Sequence, residues 1–213
     1  MRTGSATPVA GRGVGYAGRM ARDRHILQAA AKLFHERGFD AVGVDEIGAR
    51  AGVTGPAIYR HFSGKDEILA TLFDEAMDRL LVHVGTPVED PSAELDHLIR
   101  AHAEFALNDR ELISVYARED RSLAEPFRRR IHRRQRQYVE RWIDVLHRCY
   151  PERSEDELTS AAYAAIGLLV SVAHWPRAAL KTEGLVDLLA AVVMGGLAAV
   201  GQPSSEKVKA ATG

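Results

Sequence analysis

The residues best placed to do chemistry lie between positions 54 and 65, and the chemistry is anion binding. Thr54, Gly55, Pro56 and Ala57 are small and stand at the start of a short helical pattern. Tyr59, Arg60 and His61 follow one turn later, and Lys65 opens the next helix. A helix start offers unpaired N–H groups and the positive end of the helix dipole, which together bind phosphate. Small residues there let the backbone approach a polyanion closely. Tyr59, Arg60 and His61 add hydrogen-bond donors, and Lys65 is placed for a phosphate.

A second concentration of charge is the run Arg128, Arg129, Arg130, Arg133, Arg134, Arg136 and Arg141. Positions 130, 133, 134, 137 and 141 share one helical stripe, while 128, 129 and 136 point elsewhere. Such a run is either a solvated face or an anion site, for instance for the phosphate of a coenzyme A ester. Phe105, Tyr116, Tyr138, Trp142, Tyr163 and Trp175, with His102 and His174 as polar partners, are candidates for an apolar ligand pocket.

Catalytic patterns are thin. Glu94-Leu95-Asp96-His97 supplies one half of a carboxylate-bridged metal motif whose second copy is missing. Gly11-x-Gly13-x-Gly15 has no strand before it, and there is no nucleophile elbow. The single cysteine, Cys149, excludes an internal disulfide framework and a cysteine zinc cluster. It reads as a small apolar residue in a reducing compartment. Neither an enzyme, a metal site nor a cofactor is expected.

The elements that must position these residues are helices. Ile26, Ala30, Leu33 and Phe34 recur at helical spacing before Gly38. Gly43 can cap a short helix from Val44 to Ala51, and Thr54 another to about Phe62, with Pro56 in its first turn. Ser63-Gly64-Lys65 opens a longer helix whose apolar face is Ile68, Leu69, Leu72, Phe73, Ala76 and Leu80. Helices are expected over Ala93–Leu107, Glu111–Arg118, Pro126–Cys149, Ser154–Trp175 and Thr182–Val200. Ser154 and Glu157 have capping-box spacing. No period-two alternation supports a sheet, so the chain is expected to be all-α with about nine helices. Residues 1–18 and 202–213 read as a flexible arm and tail.

The 213 residues suit one or two domains. The net charge of −1 hides strong local biases: +4 over residues 1–24, −3 over 25–80, −5 over 81–117 and +5 over 118–148. The first residues lack the apolar core of a signal peptide. The most apolar stretch, Leu188 to Gly201, is shorter than the roughly 20 residues a membrane span needs.

Val44–Ala51, a tight turn at Gly52 and the helix after Thr54 form a helix-turn-helix pattern over 43–62. The run from Val53 to Leu69, Val-Thr-Gly-Pro-Ala-Ile-Tyr-Arg-His-Phe-Ser-Gly-Lys-Asp-Glu-Ile-Leu, resembles the signature of TetR-family transcriptional regulators. Ile26 to Phe34 and Arg37-Gly38-Phe39 resemble that family's first helix and turn, so the likeness covers about residues 20–80. It implies a homodimer whose recognition helices enter successive major grooves of a palindromic operator. It also implies that Thr54, Tyr59 and Lys65 contact phosphates and that Gly55, Pro56 and Ala57 face bases. His61 would lie on the DNA backbone, Gly43 would belong to the same DNA-binding face, and Arg22 and Arg24 would reach phosphate or the minor groove. Many members have a polar side chain where Gly43, Gly55 and Ala57 stand; here Arg60 could supply base readout.

For residues 85–201 the resemblance implies a ligand-binding and dimerisation domain, with the interface on the last two helices, about 157–175 and 184–200. Independently, apolar residues cover every side of the last helix, which predicts burial all round. The expected function is a cytoplasmic transcriptional regulator, a repressor released by a small hydrophobic effector such as an acyl-CoA or fatty acid. A DNA-binding regulator without a small-molecule effector stays open.

Overall fold

The computed structural model describes residues 13–201, and every regular element among them is helical. Nine α-helices follow one another: α1 (Gly13–Arg37), α2 (Val44–Ala51), α3 (Gly55–Ile58), α4 (Lys65–Val84), α5 (Pro91–Asn108), α6 (Arg110–Glu119), α7 (Glu125–Cys149), α8 (Glu155–Ser171) and α9 (Leu185–Gly201). The chain divides into two compact units between Thr71 and Leu72, inside α4.

The first unit is built on α1 to α3 and the start of α4. Ile26, Leu27, Ala30, Leu33 and Phe34 form the buried stripe of α1, and Phe34 meets Phe39 with ring centroids 5.2 Å apart. α2 stops at Gly52, whose φ of 71° is left-handed and whose N–H closes onto the carbonyls of Gly48 and Ala49. Ile47, Ile58 and Phe62 complete the core. At Gly48 the helices come so close that an added Cβ would lie 2.9 Å from the Val53 carbonyl oxygen and 3.2 Å from the Gly55 nitrogen.

Two expectations change here. Residues 13–18, read as part of an arm, belong to α1, because an established helix extends at one hydrogen bond per added residue without a second nucleation. The remainder of that arm and the tail 202–213 lie outside the described residues. The helix after Thr54 is a single turn; backbone bonds from Arg60 to Ala57 and from His61 and Phe62 to Ile58 carry the coil onward to Phe62.

In the second unit α5 is central and packs on α7, α8 and α9. Leu95, Leu98, Ile99, Trp142, Leu146, Leu158 and Leu169 are fully buried in its core. Asp90 caps α5, with its carboxylate accepting from the Ser92 and Ala93 N–H groups. Ser154 and Glu157 form a complete capping box at the start of α8. Arg110 on α6 donates to the carbonyls of Val172 at 3.0 Å and Trp175 at 3.1 Å, closing the end of α8.

The last two helices differ from their expected burial. α9 buries Leu185, Leu189, Ala190, Val193 and Leu197, yet Leu188 and Val192 are half exposed. On α8, Tyr163 is likewise 57% exposed, beside the exposed Ala164 and Gly167. The fold thus buries only one face of this largely apolar helix. The segment Glu155–His174 is long and apolar enough to cross a membrane by length and composition, with a mean hydropathy of 1.3, so Leu188–Gly201 is not the chain's best candidate by that measure. Its buried third packs in this core through Leu158, Ala161, Ala162, Ala165 and Leu169.

Candidate nucleic-acid interface and effector core

The helix-turn-helix presents an open polar surface. Arg22, Arg24, Gly43, Thr54, Pro56 and Arg60 are exposed, and Tyr59 is 59% exposed, which removes it from the core. Ala57, His61 and Lys65 are half-buried, and Gly55 is buried. α3 has four residues and no side-chain cap at Thr54, so its dipole is that of one turn and is a weak anchor for phosphate. Side-chain donors must carry more of the binding than the sequence pattern suggests.

Two of those donors have internal duties. The His61 ring lies 2.5 Å from the Asp23 carboxylate through Nδ1, tying the end of the α3 coil to α1 between Arg22 and Arg24. Lys65 Nζ donates to the carbonyls of Phe39 at 3.1 Å and Val42 at 3.4 Å, lies 3.5 Å from that of Asp40, and sits over the Phe39 ring. An ammonium has three donors and no acceptor, and these carbonyls use them. Lys65 therefore shapes the turn that leads to Gly43 and the start of α2. Neither Asp23 nor the carbonyl cradle is visible to sequence reasoning, because both pairings join positions more than 20 residues apart.

In the second unit, four of the eight pocket candidates come together. His102 on α5 faces Tyr138 and Trp142 on α7, 5.6 Å and 6.1 Å away between ring centroids, and Phe105 stands edge-on to His102 at 6.2 Å. The Tyr138 hydroxyl and His102 Nδ1 are 2.8 Å apart. His102 Nε2 and Trp142 Nε1 are fully buried without a hydrogen-bond partner among the described residues. Burial lowers the His102 pKa to about 4, so the ring is neutral at physiological pH. Burial also pushes the Tyr138 hydroxyl up, partly offset by the nearby Trp142 N–H and by Arg141.

The other four candidates are placed elsewhere. Tyr116 packs edge-on against Phe73 and donates to Asp120 at 3.0 Å. Tyr163 lies on the exposed face of α8. His174 and Trp175 sit beyond the end of α8, where the indole donates to Ser171 Oγ at 3.1 Å. Aromatic type marks all eight residues alike; only the helix packing separates them.

The arginine run is also reassigned. Arg130 and Arg134 pair with Asp74, and Arg134 also with Asp78, on α4. Arg128 and Arg129 share Glu125. Arg141 donates to the carbonyls of Gly85 at 2.6 Å and Val84 at 3.2 Å, and to Glu94 at 3.2 Å. Glu94 is fully buried and also accepts from Arg148 at 2.5 Å, so its carboxylate serves arginines and is not half of a metal motif. The positive stretch neutralises acids of neighbouring helices, leaving Arg133 and Arg136 exposed.

A helix-turn-helix with exposed polar side chains, followed by a separate helical core, is the plan of a DNA-binding regulator. Residues 26–72 match the family model for bacterial regulatory proteins of the tetR family, and residues 88–197 match that for the tetracyclin repressor-like C-terminal domain. The chain belongs to the TetR family, whose members are DNA-binding regulators and not enzymes.

It is similar to the HTH-type transcriptional activator FasR of Mycolicibacterium smegmatis, 33% identical over 51% of each chain. It is also similar to the HTH-type transcriptional repressor KstR2 of Mycobacterium tuberculosis, 30% identical over 59% of this chain and 65% of that one. The matches thus span between half and two thirds of these curated relatives. The solved ketosteroid regulator KstR2 of M. tuberculosis superposes with a TM-score of 0.70 at 25% identity, over 82% of this chain and 94% of that one. AibR, solved with isovaleryl coenzyme A and operator DNA, has the same TM-score at 20% identity, over 82% and 96%.

Proposed function

We propose that the protein is a cytoplasmic, dimeric transcriptional repressor that binds a palindromic operator and is released by a small hydrophobic effector. The observation that carries the DNA-binding part is the exposed cluster Arg22, Arg24, Thr54, Tyr59 and Arg60 around the helix-turn-helix. Arg22, Arg24, Thr54 and Tyr59 contact phosphates, Gly43 and His61 lie along the DNA backbone, and Lys65 acts from behind through the turn it holds. Pro56 and Ala57 face the bases without hydrogen-bonding side chains, Gly55 is buried behind them, and Arg60 supplies direct readout.

Dimerisation is supported by two apolar stripes that one protomer leaves open: Tyr163, Ala164 and Gly167 on α8, and Leu188, Ala191, Val192 and Gly195 on α9. Joined with a second copy they make a four-helix seam about a twofold axis. The two recognition elements then sit about 34–36 Å apart, one turn of B-DNA.

The effector site is the core of His102, Phe105, Tyr138 and Trp142. Buried polar atoms without partners are rare in native cores, and two of them belong to adjacent rings here. With Tyr138 donating to Nδ1, His102 Nε2 carries a proton and joins Trp142 Nε1 as a second donor. An apolar effector bearing a carbonyl or carboxyl oxygen fits that pair. The arginine run gives an acyl-CoA phosphate little support; Arg133 and Arg136 are the exposed cations left for it. AibR, of the same fold, was solved with such an ester. Effector binding reaches the DNA-binding unit through α4, which belongs to both units; it must favour one of two conformers to do so.

The test is a gel shift on the chain's own upstream DNA, repeated with isovaleryl-CoA, palmitoyl-CoA, palmitate and a ketosteroid. Release by one of these, abolished by His102→Phe or Trp142→Phe, is the expected result. Operator binding that no compound alters would favour a regulator without a small-molecule effector. Leu188→Arg should yield a monomer by analytical ultracentrifugation and lose operator binding.

A further inference from the structure

We propose that Asp45 is a specificity-determining residue that reads a cytosine in each operator half-site; this rests on the operator-binding reading above. Asp45 stands in the first turn of α2 and is exposed. Its neighbour Glu46 pairs with Arg37, whereas the Asp45 carboxylate has no ion pair or hydrogen bond among the described residues. The carboxylate lies on the first residue of α3: an added Cβ at Gly55 would be 1.8 Å from Asp45 Oδ1 and 3.0 Å from its Cγ. Asp45 thus occupies the space that a side chain at the start of α3 would take, and it explains why Gly55 is buried.

The consequence is chemical. Positions 55, 56 and 57 carry no hydrogen-bonding side chain. Asp45 places an acceptor at the spot they leave bare. A carboxylate accepts and never donates, and phosphates repel it. In the major groove its natural partner is the exocyclic amine of cytosine, N4. A base pair presenting an acceptor there leaves the carboxylate desolvated and unpaired, so discrimination comes as much from rejection as from attraction. The expected preference is about ten- to hundredfold at one base pair of each half-site, the range of a good side chain–base contact.

The experiment selects duplexes from a randomised pool with the full-length protein, then measures affinities for every single-base variant of the selected operator. Asp45→Ala should lose the cytosine preference at one symmetric position while keeping the others, and should bind non-specific DNA more tightly. Asp45→Asn should shift that position towards adenine, which pairs with an amide. Gly55→Ala keeps the carboxylate but displaces it, and should lose the same preference. Uniform weakening of all sequences by Asp45→Ala, with a lowered melting temperature, would make Asp45 only a helix stabiliser and overturn the proposal. A wild-type protein that selects no sequence from the pool would overturn the operator reading along with it.

Discussion

Arg141→Met is the substitution whose cost the structure fixes best. Glu94 is fully buried, and its Oε1 accepts from Arg141 Nε and a terminal nitrogen, each at 3.2 Å. The same guanidinium closes the end of α4 through the Val84 and Gly85 carbonyls. Removing it leaves a buried carboxylate with Arg148 alone. Breaking a buried pair in this way costs about 3–5 kcal/mol, because one charge stays behind uncompensated. Glu94→Leu removes the buried charge itself, and Arg141, 18% exposed, can still reach water and the α4 carbonyls. That change should cost clearly less, about 1–2 kcal/mol. The ordering is the test, since a simple count of lost contacts makes the two alike. Urea unfolding at fixed protein concentration measures it, because assembly otherwise enters the midpoint. Arg141→Met should lower the melting temperature by about 6–20 °C. A cost below about 1 kcal/mol, or a larger cost for Glu94→Leu, would show that the carboxylate is not the group that needs the arginine.

Other consequences are equally direct. Lys65→Met should weaken operator binding and destabilise the first unit by about 1–2 kcal/mol, yet leave the slope of log K against log salt unchanged; a slope smaller by about 1 would make Lys65 a phosphate ligand after all. His102 has a folded pKa near 4 against an ordinary value of 6.5. The unfolded chain therefore binds its proton first, and stability is complete above about pH 6.5 and falls by about 3 kcal/mol as the pH drops towards 4. His102→Phe should flatten that part of the pH profile in urea unfolding, and an unchanged profile would place the titration elsewhere. Gly48→Ala forces a methyl against the Val53 carbonyl and should cost about 1–3 kcal/mol, read as early melting of the first unit by amide exchange.

Local rules carried the sequence reading far, and long-range pairing marks where they stop. The bounds of α2, the left-handed Gly52 and the Ser154–Glu157 capping box follow from residue type and spacing within a few positions. Neither a solvated face nor an anion site anticipates the acidic partners of Arg130 and Arg134, because Asp74 and Asp78 lie 56 to 60 residues away and share no local pattern with them. The all-round apolar surface of α9 predicts burial on every side, whereas Leu188 and Val192 are half exposed; periodicity shows which residues are apolar and not which of them the fold covers. Asp45 escaped notice for a related reason. A glycine at position 55 reads as permissive backbone, while the structure shows a space reserved for a side chain from another helix.

The unpaired indole of Trp142 has an optical consequence. The chain has two tryptophans, one sealed beside Tyr138 and His102 and one bonded to Ser171 at the end of α8. An indole sealed from water emits at short wavelength, and its emission moves to the red when a bound molecule's oxygen accepts its N–H. Occupancy of this core would therefore register as a colour change of one residue, separable from Trp175 by a single Phe substitution. The molecule carries its own gauge of whether anything has entered.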